Sequence, residues 1–123
     1  MSWRVTVEKL GSEFARANQF LKELDAFPEL KSTPSAARVR WTLAQAEGFL
    51  ARLHERRDGS PADNLRRMDE ADKALRLADK AIDRARELMC LVLKAREERK
   101  RFLENLALRL ARAKLDRLRA TAP

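Results

Sequence analysis

The stretch that decides the fold runs from Pro61 to Thr121 and reads PADNLRRMDEADKALRLADKAIDRARELMCLVLKAREERKRFLENLALRLARAKLDRLRAT. It contains no glycine and no second proline, so no residue in it interrupts a helix through its backbone. Ser60 can cap the start, and proline suits the first helical turn. Apolar residues recur at intervals of three and four, the pattern of one helix face. They are Met68, Ala71, Leu75, Ala78, Ile82, Ala85, Met89 and Val92.

A cluster of charges interrupts this apolar pattern at residues 96–101. Arg96 and Arg99 occupy the next two apolar positions, and the pattern then resumes at Leu103. The interruption favours a break or kink, which would make four helices. The alternative is one continuous helix about 90 Å long, at 1.5 Å per residue. Such a helix would need partners, because one globular core cannot cover it.

Two shorter helical segments precede the long stretch. Thr6 can serve as the N-cap of the first, and the residues before it could form an extended arm that is too short for a strand. The second begins at Thr33 and Pro34, an N-cap followed by proline at the first helical position, and continues to about Arg57. Gly59 then suits a left-handed turn.

These patterns predict an all-α protein, an antiparallel bundle of three to four helices with a long third segment. The composition agrees, because 45% of the residues are hydrophobic while the chain has only 3 glycines and no tyrosine. Residues 1–123 are expected to form a single helical-bundle domain, in which residues 99–121 make a basic C-terminal helix.

The composition argues against catalysis. One cysteine, Cys90, excludes an intramolecular disulfide and a cysteine-built zinc site, and one histidine, His54, excludes a histidine metal cluster. There is no glycine-rich phosphate loop. No apolar run reaches the length of about eighteen residues that a membrane span requires, and charged residues interrupt any signal-peptide segment. We therefore expect a cytoplasmic protein that is not an enzyme and uses no metal or cofactor.

The net charge of +8 is concentrated at the end of the chain. Residues 1–60 contribute +2, and residues 61–98 contribute nothing because nine basic and nine acidic residues cancel. Residues 99–123 hold eight basic and two acidic residues and contribute +6. A basic segment of this kind indicates an anionic partner.

Four arginines of this segment share one side of the helix. At 100° per residue they fall within an arc of about 80°. We call this set the arginine stripe, which consists of Arg101, Arg109, Arg112 and Arg119. Arginine offers a planar donor fork that matches phosphate, so the stripe predicts non-specific binding of nucleic acid, either RNA or DNA. The same pattern is also typical of a solvated helix face, or of a helix that lies on an anionic membrane surface.

Other arginines could extend this surface. Arg117 belongs to the same segment but intrudes on its apolar side, and a second basic group closes the second helix at Arg52, Arg56 and Arg57. If the helices pack antiparallel, this second group could lie beside further basic residues. The predicted nucleic-acid contacts therefore include these four residues together with the stripe.

The same C-terminal helix is rich in leucine. We call the set of predicted interface residues the leucine surface, which consists of Leu103, Leu106, Leu110, Leu115 and Leu118. A helix that is apolar on several sides is either central in a bundle or shared between chains. The leucine surface therefore predicts a partner protein or a homo-oligomer. The alternative function is that of a helical scaffold or adaptor that binds a protein partner through this helix.

Three single residues have a functional and a structural interpretation. His54 is expected to be solvated or to cap a helix rather than act as a general base. Cys90 lies in an apolar run and is expected to be a buried, inert thiol. Trp41 is expected to pack at the edge of the core, although an exposed indole could stack on a base or anchor a protein interface.

The middle of the chain resembles a known family. Phe27-Pro28 precedes a helix that carries the sequence RWTLAQ at 40–45, and a later helix carries ALRLA at 74–78. This order resembles the bacterial four-helix-bundle family that includes the accessory variability determinant of diversity-generating retroelements, over about residues 20–80. The sequence differs from the family near the last helix, where it has no glycine or tryptophan. The resemblance implies a small basic bundle that oligomerises and binds nucleic acid and a partner protein.

Overall fold

The computed structural model describes residues 3–53 and 59–122, with side chains from residue 8 onward. These ranges form three helices, α1 (Trp3–Asp25), α2 (Pro34–Leu53) and α3 (Pro61–Thr121). No strand occurs in them, so the all-α prediction and the long third segment are confirmed. The chain divides into two compact units. We call Met1–Met89 the core unit and Cys90–Pro123 the terminal unit.

Side-chain caps fix the starts of α2 and α3. Thr33 Oγ1 accepts a hydrogen bond from the backbone N–H of Ala36 at 3.2 Å, and Ser60 Oγ accepts one from the N–H of Asp63 at 3.1 Å. In both helices a proline follows the cap, at a position where no backbone N–H is needed. Gly59 has a φ of 70°, a conformation that glycine adopts without a steric penalty. Both predicted caps are confirmed.

The predicted start of α1 is wrong. The helix already begins at Trp3, so Thr6 lies inside it and there is no extended arm over residues 3–6. The first residues include no glycine or proline, and a β-branched residue costs a helix only a few tenths of a kcal/mol. The predicted continuation of α2 to Arg57 falls on residues 54–58, which lie outside the described residues. The described part of α2 extends to Leu53.

Apolar residues of all three helices form the core. Among the fully buried side chains are Leu10 and Leu24 of α1 and Leu53 of α2. The buried face of α3 is built largely from alanine, at positions 71, 74, 78, 81 and 85. Because alanine has a short side chain, neighbouring helices can approach closely along this face. Met68, the first apolar position predicted for this face, is exposed.

The helices α2 and α3 run in opposite directions. The Arg67 guanidinium, near the start of α3, donates a hydrogen bond of 3.1 Å to the carbonyl oxygen of Leu53 at the end of α2. The same guanidinium forms a 3.1 Å ion pair with Asp63, and both side chains are almost completely buried. At the other end, Thr42 and Ala81 line one groove. We call the contacts of Arg67 with Leu53 and Asp63 the polar anchor. It supports the end of α2, where carbonyl groups lack helical partners.

The helices α1 and α3 run in the same direction. The guanidinium of Arg86 lies 5.8 Å from the centre of the Phe20 ring. About two turns earlier on both helices, the carboxyl group of Glu13 shares a hydrogen bond with that of Asp79. Residues later in α1 therefore contact residues later in α3, so these two helices are parallel. Helix α2 is antiparallel to α3.

The predicted break at residues 96–101 is wrong, and with it the interpretation as four helices. The structure continues α3 through this region without interruption. Glutamate, arginine and lysine are good helix formers, and Glu97 forms an i,i+4 ion pair of 3.5 Å with Arg101. From Leu93 to residue 122 every described residue is exposed. The charges therefore mark the end of the buried face rather than the end of the helix.

Candidate nucleic-acid interface

The arginine stripe lies within the terminal unit, on the continuous helix α3. Its first and last members are 18 positions apart, so the stripe covers about 27 Å at 1.5 Å per residue. All four side chains belong to exposed residues. Since the helix is unbroken, the four residues lie on one side of it, within the arc of about 80° that the sequence predicts.

Three members of the stripe have no acidic partner within the part of the chain that the structure describes. Arg109, Arg112 and Arg119 form no ion pair there, whereas Arg101 pairs with Glu97. That pair is exposed on both sides, and pairs of this kind contribute at most about 1 kcal/mol. An external anion could therefore compete with it at low cost.

One acidic residue lies within the stripe. Asp116 is one turn after Arg112 on α3, and no ion pair forms between them. This carboxylate partly offsets the local positive potential near the end of the stripe. We therefore expect the strongest anion binding at Arg109, which is about two turns from this carboxylate.

The remaining predicted nucleic-acid contacts are Arg117 in the terminal unit and three arginines at the end of the second helical segment. Arg117 lies about 160° around the helix from Arg119, on the side of the leucine surface. Arg52 is in the core unit, where its guanidinium lies 5.1 Å from the centre of the Phe49 ring. Residues Arg56 and Arg57 lie outside the described residues, as does His54.

The leucine surface is exposed throughout. Its five side chains have relative exposures between 42% and 64%, and the neighbouring Phe102 and Leu108 are equally accessible. Two apolar rows of different direction make up this surface. Leu103, Leu106 and Leu110 form one row, while Leu115 and Leu118 lie about 120° further around the helix. The arc of the arginine stripe therefore has large apolar residues only at its edges.

Sequence reasoning missed the exposure of Trp41 and Cys90. Trp41 was expected at the edge of the core but is 62% exposed, and Cys90 was expected to be buried but is also exposed. The sequence contains the signal for Trp41. It lies two residues from both Val39 and Leu43, so it is about 160° around the helix from these buried positions. Cys90 is likewise next to, and not on, the apolar row that passes through Val92.

Comparison with protein-family models, curated proteins and solved structures gives no match for this chain. The resemblance to the retroelement accessory family therefore stays a prediction. No helix within residues 3–53 and 59–122 contains a segment that is long and apolar enough to cross a bilayer.

Proposed function

We propose that this chain is a cytoplasmic, non-enzymatic accessory subunit that binds the phosphates of RNA or DNA without sequence specificity, as part of a larger complex. The observation that supports this function is the arginine stripe. Three arginines that form no ion pair with any described residue lie on one side of a continuous helix. Phosphate contacts made in this way depend on charge and spacing and do not read base edges.

The chemistry of arginine suits this role. A guanidinium group presents parallel N–H donors that match two oxygens of a phosphate, and it stays charged at every physiological pH. Each phosphate that a cation neutralises releases condensed counterions, so binding weakens steeply as salt concentration rises. For four contacts to duplex DNA, we expect the logarithm of the association constant to fall with a slope of about −3.6 against the logarithm of salt concentration.

A charge-neutralising variant tests this function. Arg109, Arg112 and Arg119 are replaced by glutamine, and binding of a fluorescently labelled 20-base-pair duplex is measured by anisotropy over a series of salt concentrations. We expect affinity to fall roughly 10- to 100-fold at low salt, and the salt slope to become shallower by about 2 to 3. The loss should be the same for duplexes of different sequence, since no base is read.

A matched control separates the stripe from net charge. Replacing Arg99, Lys100 and Lys114 by glutamine removes the same charge from the same helix, at positions that lie opposite the stripe. We expect this control to retain most of the affinity. If both triple variants bind equally weakly, net charge alone drives binding, and if the stripe variant binds like the wild type, the assigned site is wrong.

A second candidate function, that of a helical scaffold or adaptor, is favoured by the leucine surface. Burying one leucine side chain fully contributes about 1.5–3 kcal/mol, so several exposed ones create a strong tendency to associate. Large contiguous apolar patches that stay exposed on a protein mark interaction sites. The surface would dock a partner protein, or a second copy of this chain in a homo-oligomer.

The two functions are compatible, because the stripe and the leucine surface occupy different arcs of α3. A partner on the leucines would leave Arg109 and Arg112 accessible. Light scattering after size-exclusion chromatography measures the assembly, and Leu106→Gln with Leu110→Gln should reduce any self-association. If the isolated wild type is a monomer at all concentrations and no partner is captured from lysate through these leucines, the scaffold function is wrong.

A further inference from the structure

A groove between α2 and α3 of the core unit has no role in either proposed function. Its volume is about 780 Å³, in the range of sites that hold small ligands. The indole of Trp41 and the side chain of Arg38 line it from α2. Lys80, Asp83 and Arg84 line it from the middle of α3.

Trp41 is the one large apolar side chain that is exposed among the groove residues. The other apolar residues of the lining, Val39 and Ala81, are buried in the core. A protein-binding hot spot is usually surrounded by further contacts that exclude water. A single indole in a polar rim is instead the arrangement that stacks one flat ring, as in sequence-tolerant binding of single strands.

Most charges along the groove are already paired. Arg84 forms a 2.9 Å ion pair with Glu87, and Arg76 forms one of 2.9 Å with Asp72. A further carboxylate of the lining, that of Asp79, shares a hydrogen bond with Glu13.

Three charged groups of the lining stay available. Arg38 and Lys80 form no ion pair with any described residue, and neither does the carboxylate of Asp83. The unpaired set therefore has two cations and one anion beside the exposed ring. Two cations suit a phosphate, and a lone carboxylate suits a hydrogen-bond donor such as the exocyclic amino group of cytosine or adenine.

We infer that this groove binds one unpaired nucleotide of a single-stranded nucleic acid. The base stacks on Trp41, the phosphate lies against Arg38 and Lys80, and the amino group of the base donates to Asp83. This inference rests on the proposed binding of nucleic acid and adds a preference for single strands over duplexes. A duplex cannot place a base on the indole without unstacking it, which has an energetic cost.

Indole fluorescence tests the inference directly. The chain has two tryptophans, so Trp3→Phe leaves Trp41 as the sole reporter. This protein is titrated with a twelve-nucleotide strand of cytosine and adenine, and separately with the same strand annealed to its complement. We expect the single strand to quench the emission of Trp41 to saturation, and the duplex to leave it nearly unchanged. Single-strand binding without quenching, as seen by anisotropy of a labelled strand, overturns the inference.

Two substitutions at the ring supply a matched pair. Trp41→Leu should weaken single-strand binding roughly 5- to 150-fold, the range of one base stacked on an aromatic side chain. Trp41→Phe keeps an aromatic face and should retain affinity within about threefold. Because Trp41 is exposed, neither change should alter the thermal midpoint. Equal affinity of Trp41→Leu and the wild type overturns the inference.

The variant in which the stripe arginines are replaced by glutamine shows whether the stripe or the groove has been assigned wrongly. In the background that lacks Arg109, Arg112 and Arg119, quenching of Trp41 by the single strand should persist at higher concentrations. If that background binds duplex like the wild type while Trp41 is still quenched, the stripe is wrong and the groove is supported. A concentration-dependent blue shift of Trp41 emission without nucleic acid shows that protein covers the ring, and overturns the inference.

Discussion

The two halves of α3 have the same apolar periodicity but opposite surroundings. In the core unit, the apolar face from Ala71 to Leu88 is buried and consists mostly of alanine. In the terminal unit, the large apolar residues from Leu103 to Leu118 are all leucines and are exposed. Periodicity therefore shows which side of a helix is apolar, and residue size indicates what covers it. Small residues allow helices of the same chain to pack closely, whereas large ones leave a ridge that another molecule can cover.

The largest expected effect compares one buried and one exposed position of this helix. Ile82→Ala removes a side chain that is 3% exposed, so we expect a loss of about 2–5 kcal/mol in the free energy of unfolding. Leu110→Ala removes one that is 64% exposed, and we expect less than about 0.5 kcal/mol. Urea unfolding followed by circular dichroism measures both.

Repeating the Leu110→Ala measurement at several protein concentrations shows whether a second chain covers this leucine. A large loss for Leu110→Ala that grows with protein concentration would mean that copies of the chain bury the leucine surface. An equally large loss at all concentrations would contradict the difference between the two halves, because Leu110 would then be buried within a single chain.

The continuity of α3 can be broken at the charged cluster. Glu98→Pro removes a backbone donor and clashes with the preceding turn, which costs about 3 kcal/mol or more in a helix. We expect lower ellipticity at 222 nm and faster amide exchange around residues 94–98, with a urea transition of the core unit that is shifted little. Glu98→Ala is the control and should change neither. Unchanged ellipticity for the proline variant would mean that the helix is already interrupted there.

The sequence predicts the helical class and two of the helix starts because these depend on local chemistry. The caps at Thr33 and Ser60 need only one hydroxyl and a following proline, and both are found as expected. The break at residues 96–101 was wrong because charged residues on an apolar face change what covers the helix but not its hydrogen bonding. The start of α1 was wrong because a potential cap at Thr6 does not prevent the helix from extending past it.

The candidate sites were predicted unequally. The arginine stripe follows from spacing alone on any straight helix, so its four positions could be assigned before the structure. The groove at Trp41 could not, because Arg38 and Lys80 belong to different helices and only tertiary packing brings them to one cavity. The polar anchor between Arg67 and Leu53 could not be predicted either, because these two residues also belong to different helices.

That anchor gives an effect of intermediate size within the core unit. Arg67→Met leaves the nearly buried carboxylate of Asp63 without this ion pair and removes a donor from the carbonyl group of Leu53. We expect the free energy of unfolding to fall by about 1–3 kcal/mol. The control is Arg76→Met, which breaks an exposed ion pair with Asp72 and should cost less than about 0.5 kcal/mol. Equal losses for both variants would show that burial does not distinguish the two ion pairs.

The smallest effect concerns the carboxyl pair between α1 and α3. The hydrogen bond to Asp79, together with partial burial and the negative charge of Asp79, raises the pKa of Glu13 above its ordinary value of 4.5. The folded state therefore holds this proton more tightly than the unfolded chain. The resulting stabilisation is complete below about pH 4.5 and declines as pH rises through the folded-state pKa.

Replacement of Glu13 by glutamine should remove this pH dependence, because the amide donates a hydrogen bond to Asp79 at every pH. We expect Glu13→Gln to be more stable than the wild type at pH 7, by less than about 1 kcal/mol because the pair is partly exposed, and equally stable near pH 4. Thermal midpoints over pH 4–7 measure the difference, and Glu8→Gln, an exposed position on the same helix, is the control. A variant that is less stable at pH 7 would mean that the 3.9 Å ion pair of Glu13 with Arg16 outweighs the repulsion between the two carboxylates.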